Sequence, residues 1–168
     1  MTFRPAILED CVLLAELNNQ LIRDEGHRNR MTVAELEQRM RGWLAGGEYR
    51  AFLVEHDGGA VAYALFRFEP DSGIYLRQFF VRREKRRQGI GSQAVEMLFR
   101  EVFPARTRVT LEVLAHNEIG RGFWKASGFV SYSVCLERFT GDRVAANITA
   151  TTPVRFANVP RTASTRSL

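Results

Sequence analysis

The chain has 168 residues, 45% of them hydrophobic, which suffices for one domain with a substantial core. Its formal net charge of +5 is unevenly placed: residues 1–140 hold 20 Lys and Arg against 18 Asp and Glu, and the last 28 residues supply the rest. A nearly balanced folded part, without aromatic residues interleaved in its basic cluster, argues against nucleic-acid binding, and no apolar run approaches the ~20 residues of a membrane span.

"TFRPA" reads as a short strand, after which Asp10 is placed to cap a helix carrying Leu13, Leu14, Leu17 and Leu21 on one stripe. "RDEGHRNRM" interrupts the pattern. Thr32 and Glu35 then form a T-x-x-E capping box, and Leu36, Met40, Trp43 and Leu44 give the second helix its apolar face before "AGG" closes it. "YRAFLVEH" and "AVAYALFRF" flank "DGG" as a tight hairpin, and "IYLRQFFV" supplies a third antiparallel strand. Beyond the basic stretch "RREKRRQGIGS", Val95, Leu98, Phe99 and Val102 fall at helical spacing until Pro104. "RVTLEVLA" predicts a strand, "NEIGRGFWKAS" a short helix ended by Gly128, and "FVSYSVCLERF" a last strand. The resulting order, β-α-α-β-β-β-α-β-α-β, predicts an α/β fold with a mixed, mostly antiparallel central sheet flanked by helices over residues 1–140. Residues 141–168 lack a sustained apolar period and read as a disordered tail.

Cys11 and Cys135, distant in sequence and without a CxxC pair, read as buried free thiols, with neither a disulfide framework nor a metal site implied. The first residues lack the basic and apolar segments of a secretory leader, which points to a soluble cytoplasmic protein. His56 and His116 carry no assigned role at this level.

A strand, a glycine turn and a helix start form an anion site, because free amides converge there and the helix dipole adds positive character. Gly89 and Gly91 permit close approach of phosphate oxygens, and Arg82, Arg83, Lys85, Arg86 and Arg87 add attraction. A solvated charge run ending in two loop glycines accounts equally well for the stretch alone. The Walker pattern GxxxxGK[ST] is absent. Gly89, Gly91 and Ala94 spell G-x-G-x-x-A, with Glu112 at the distance of a ribose-binding acid, but the turn lies too far from its strand and the preceding strands are hairpins. A dinucleotide oxidoreductase therefore fits the order poorly.

Arg86-Arg87-Gln88-Gly89-Ile90-Gly91 also spells R-x-x-G-x-G, and "NEIGRGFWKASGF" places Asn117, Gly120, Phe123, Trp124, Gly128 and Phe129 in a second block about 26 residues later. Together, in this order, the two blocks resemble the GNAT superfamily of acetyl-coenzyme A dependent N-acetyltransferases. The resemblance implies a pyrophosphate held by the amides of Arg87, Gln88, Gly89, Ile90, Gly91 and Ser92 with Arg86 beside them. It places the pantetheine arm along Phe79, Phe80 and Val81, with Asn117 and Trp124 near it. Asn117 reads equally as a helix cap. Acetyl-CoA is then a cosubstrate, no metal is called for, and the acceptor is a primary amine of a small molecule; neither nucleic acid nor membrane is a partner, and a homodimer is compatible.

Where family members often carry a Tyr as general acid, this chain has Trp124, whose indole N–H cannot serve, and Tyr132 is a substitute. Glu112, or Glu25 and His27 in the loop between the first helices, are the candidate bases, with ordered water as a further route; the bland alternatives are a Glu112 pair with Arg77 across the sheet and a solvated loop at Glu25 and His27. A thiol of pKa about 8.5 leaves readily near neutral pH, so the missing acid is tolerable. The same absences also suit a non-catalytic acyl-CoA-binding module.

Overall fold

The computed structural model describes residues 1–71 and 73–140. It divides into two units, Met1–Val130 and Ser131–Leu168, described separately below. In the first unit the elements are β1 (Thr2–Pro5), α1 (Cys11–Glu25), α2 (Val33–Ala45), β2 (Arg50–His56), β3 (Gly59–Phe68), β4 (Ile74–Val81), α3 (Ile90–Met97), β5 (Val109–Thr110) and α4 (Glu118–Ala126). The sheet order is β1-β2-β3-β4-β5, antiparallel except for the parallel β4–β5 pair.

Local chemistry explains most of these boundaries. The box before α2 is complete: the Glu35 amide donates to Thr32 Oγ1 at 3.3 Å and the Thr32 amide to Glu35 Oε2 at 2.7 Å. Asp57 and Gly58, at φ of 52° and 78°, make the turn between β2 and β3. Asp10 precedes α1, but its carboxylate caps the turn before the helix, accepting from the Ile7 amide and from Arg4. The third helix is shorter than the apolar spacing predicts. After Met97 the chain widens into a π turn over Leu98–Val102, closed by the Phe103 amide on the Leu98 carbonyl.

β3 is covered on both faces. Tyr63 and Leu65 meet Leu14, Leu17, Met40 and Leu53 under α1 and α2. Ala64 and Phe66 meet Ile74, Leu76, Leu98 and Phe103 on the other side, while Val54, Ala62, Ile90 and Ala94 continue that face beneath α3. Burying each such side chain contributes on the order of 1.5–3 kcal/mol, so the sheet is a rigid base for its edges.

Two features open a cleft. Leu65 pairs with Gln78 and Phe66 with Leu76, which leaves Arg77 as an unpaired bulge in β4. β4 and β5 pair only at Ile74 with Val109 and Tyr75 with Thr110, and beyond that point the β4 edge is open.

The predicted last strand does not appear among the described residues, where 129–139 join no ladder. Val130, Tyr132, Val134 and Leu136 keep the alternation of a strand yet are 82–88% exposed, because alternation specifies a pleat and not the edge it pairs with. Cys11 is buried as expected, whereas Cys135 is exposed in this same segment. Residues 131–140 group with the C-terminal unit, and the tail at 141–168 lies outside the described residues.

Candidate active site

The glycine turn leads into α3 with no side-chain cap. Gly89 occupies the cap position at φ 79°, and lacking a side chain it offers the helix start no oxygen. Arg87 also has positive φ, 62°. Among the described residues, the amides of Arg87, Gln88, Gly89, Ile90, Gly91 and Ser92 donate to no protein acceptor; the next in line, Gln93, bonds the Gly89 carbonyl at 3.0 Å. Six consecutive free donors at a helix start form an anion cradle. Gly91 is needed for packing too, since a Cβ there would meet the Phe123 ring at 3.2 Å and Val81 at 3.5 Å.

Most of the basic run serves to fasten this turn. Arg83 and Arg86 both bind the Asp24 carboxylate at the end of α1, Arg86 also donates to the Val81 carbonyl at 2.9 Å, and Lys85 pairs with Asp57 at 2.9 Å. Arg82 donates to the Ala60 carbonyl and Gln88 to the Glu84 carbonyl. Burial raises the Asp24 pKa, but its two arginines outweigh it and hold the carboxyl below its ordinary value. Of the five cations, Arg87 alone has no such partner among the described residues. Arg86 is thus an anchor with its guanidinium 5.3 Å from the Phe80 ring centre, and Ile90 turns its side chain into the core. Ser92 is exposed at the first turn.

The β4 edge continues the row of donors. Arg82 gives its amide to the Val61 carbonyl on β3, so by antiparallel alternation Phe80 and Gln78 also face β3, while the amides of Phe79 and Val81 face the open side. Phe80 therefore has its ring in the core and its main chain committed to the sheet, and the amides left facing the open side are those of its neighbours. Phe79 stacks on Phe123 at 5.7 Å and meets Trp124 edge-on at 5.3 Å, which holds α4 against this edge.

Below the bulge, Leu21, Glu25, Leu76, Arg77, Gln78, Phe79, Leu111, Glu112 and Trp124 line a small cleft of about 50 Å³. Glu25 is the last residue of α1, at the point where Gly26 turns left-handed at φ 62°. Burial pushes its carboxyl pKa up, against the opposing effect of the Asn117 side chain, whose Nδ2 donates to Oε1 at 3.3 Å. The same Asn117 caps α4 through Oδ1, accepting from the Gly120 amide at 2.8 Å. The helix-cap reading of Asn117 is borne out, and its amide nitrogen has Glu25 as a partner. His116 Nε2 lies 2.8 Å from the Glu25 carbonyl oxygen and ties the α1 terminus to the α4 entry, a role its sequence position did not disclose. Glu112 accepts from the Tyr75 hydroxyl at 3.2 Å and is exposed; the pairing with Arg77 that its sequence position suggests is replaced by this one. Tyr132 belongs to the second unit and is exposed there.

A family model described as "Acetyltransferase (GNAT) family" matches residues 14–129, from the first helix through the glycine after α4. The chain belongs to the GNAT acetyltransferase family. No curated protein matches it. Solved structures agree in fold with this GNAT chain at low identity. A mutant of a Bacillus halodurans protein is 18% identical, with TM-score 0.70, over 82% of this chain and 98% of the other. A predicted acetyltransferase from Clostridium acetobutylicum, solved with acetyl-CoA, is 20% identical, with TM-score 0.66 over 82% and 95%. An aminoglycoside antibiotic 6'-N-acetyltransferase from Acinetobacter haemolyticus is 19% identical, with TM-score 0.66 over 85% and 100%. In the GNAT chain described here, no helix among the described residues is long and apolar enough to cross a membrane.

Proposed function

We propose that this acetyltransferase moves the acetyl group of acetyl-CoA to a primary amine of a small molecule by direct attack on the thioester. One observation carries the reading: the free amides of residues 87–92 run into the free edge amides of Phe79 and Val81, and that edge borders a cleft holding a half-buried carboxyl. A diphosphate fits the first set, a pantetheine arm fits the second as an added strand, and the thioester then lies beside Glu25. Two neighbours bear on this: one is an N-acetyltransferase acting on an aminoglycoside, the other was solved with acetyl-CoA.

In this reading Glu25, as carboxylate, takes the proton of the incoming amine. Its raised pKa brings it closer to the working range of a general base than an exposed carboxyl would be. The amine nitrogen lone pair attacks the carbonyl carbon, an edge amide at Phe79 or Val81 stabilises the developing negative oxygen, and the C–S bond breaks as thiolate departs. Trp124 donates no proton and acts as a wall against Phe79 and Phe129. Holding the two reactants in line supplies much of the acceleration, up to roughly 7–11 kcal/mol in well-oriented systems. Glu112 and Tyr132 take no step here.

Thermal shifts with acetyl-CoA and NAD, followed by thiol release across an amine panel, test the proposal. Acetyl-CoA at 100 times its Kd adds about 2.7 kcal/mol to the folded state. A shift with NAD instead, or saturable acetyl-CoA binding without amine-dependent release, overturns it, the latter in favour of a non-catalytic acyl-CoA-binding module.

A further inference from the structure

Two guanidinium groups share one indole beside the cleft, and neither has a carboxylate partner among the described residues. Arg39, on α2, lies 4.7 Å from the Trp43 ring centre, and Arg77, the bulged residue of β4, lies 4.9 Å from it. Arg39 donates to Asn18 Oδ1 at 3.0 Å and contacts Met31 Sδ, while its buried Nε has no acceptor. Arg77 reaches only the Tyr49 hydroxyl, at 3.5 Å, besides the two aromatic faces. Several other arginines of the first unit do hold carboxylates: Arg4 holds Asp10 and Glu55, Arg41 holds Glu37, Arg67 holds Glu69, and Arg83 and Arg86 share Asp24.

A cation without a carboxylate partner at a cleft is relieved by a bound anion. Burial first, and then the charge of Arg77, push the Arg39 pKa down. Arg77 also lines the cleft that contains Glu25, so a positive and a negative group face one small space. Tyr63 and Gln78 connect the two sides: the Tyr63 hydroxyl donates to Gln78 Oε1 at 3.1 Å, and Tyr63 feels the charges of both Glu25 and Arg39.

We propose that the acceptor amine carries a carboxylate, held in the cleft by Arg77, with Arg39 adding its charge from the same Trp43 ring, while its nitrogen faces Glu25. This rests on the proposed acetyl transfer and narrows its substrate. Bidentate guanidinium contacts suit a carboxylate, whereas the same pair repels a polycationic amine.

The test compares L-amino acids with their α-carboxamides as acceptors, with spermidine as the polycation, in thiol release from acetyl-CoA. Acids are expected to exceed their amides in kcat/KM by roughly tenfold or more, as a hydrogen bond to a charged group implies, and Arg77→Met and Arg39→Met are expected to bring that ratio close to one. Equal rates for acid and amide, a preference for spermidine, or a ratio untouched by both substitutions overturns the inference while leaving acetyl transfer standing. Since Arg39 is partly buried, the wild-type protein gives a second readout that needs neither variant folding nor turnover. Titrating the same acids into the protein with CoA is expected to move the NMR signals of the Arg39 and Arg77 Nε–H groups, and the amides to leave them in place. Absence of movement with any acid overturns the inference. Absence of thiol release with every amine and of any acetyl-CoA stabilisation defeats the acetyl-transfer reading instead, and the titration then judges the anion site alone.

Discussion

The Asn117 carboxamide donates to the Glu25 carboxyl at 3.3 Å, across 92 residues of chain. That bond joins the end of α1 to the start of α4 and places the proposed base at a helix terminus that His116 also fixes. If Glu25 takes the amine proton, Glu25→Gln lowers kcat by about 10²–10⁴-fold without weakening acetyl-CoA binding, as thiol release and thermal shift together will show.

Asn117 favours the carboxylate form of Glu25, so its removal raises that pKa further. In kcat/KM profiles the acidic limb, where rate grows as Glu25 ionises, is expected to move to higher pH in Asn117→Ala. Loss of the α4 cap costs about 1 kcal/mol as well, read from a urea midpoint. The stability linkage of Glu25 itself has the opposite sense to its activity. Its folded pKa is raised, so the stability it contributes is complete below the unfolded pKa and is lost as pH rises through the folded one.

A Cβ at position 120 would lie 2.7 Å from Asn117 Nδ2. Gly120→Ala must rotate the carboxamide away. Helix propensity gains about 1 kcal/mol and the lost cap removes a similar amount, so stability should change little while activity falls and the acidic limb shifts as for Asn117→Ala. An unchanged profile would detach Asn117 from the base.

Gly89 at φ 79° tolerates no β-branched side chain, so Gly89→Ala is the informative change there. The left-handed conformation should cost about 1–2 kcal/mol of stability, and the added methyl crowds the amides offered to a diphosphate. A urea midpoint shift with no loss of acetyl-CoA stabilisation would place the phosphates elsewhere.

Asp24 fastens the turn through Arg83 and Arg86. These pairs are partly exposed, so Asp24→Asn should cost at most about 1 kcal/mol, yet release of the turn should weaken acetyl-CoA binding by about fivefold, the cost of ordering a side chain or two. The folded pKa of Asp24 is lowered, so its contribution is present above the unfolded value near 3.9 and lost as pH falls through the folded one. The stability gap between wild type and variant should therefore shrink below about pH 4.

The capping box at Thr32 and Glu35, the hairpin at Asp57 and Gly58, and the glycine turn at Gly89 ahead of a helix were legible in the sequence because each depends on residues within a few positions of one another. The predicted last strand went the other way: its alternation suggested a strand, but residues 129–139 pair with no described strand, since alternation says nothing of which edge, if any, is open to it. The role of the basic run was not legible: five cations in a row look like a ligand field, and only the placement of Asp24 and Asp57 shows that most of them hold the turn in shape. Asp24, beside Glu25, and His116, beside Asn117, sat next to named candidates but had no local signature to mark them.

Sequence by itself determined the order of elements, the glycine turn ahead of a helix and the absence of a tyrosine at Trp124, all properties written within short spans of chain. Tertiary structure alone decided that Glu25 meets Asn117, that Arg77 bulges out of β4 onto the Trp43 ring that Arg39 also contacts, and that the amides of Phe79 and Val81 face the open edge. Those relations depend on sheet register and on how helices from opposite ends of the chain converge, and pairwise contacts between distant residues leave no periodic trace in a single sequence.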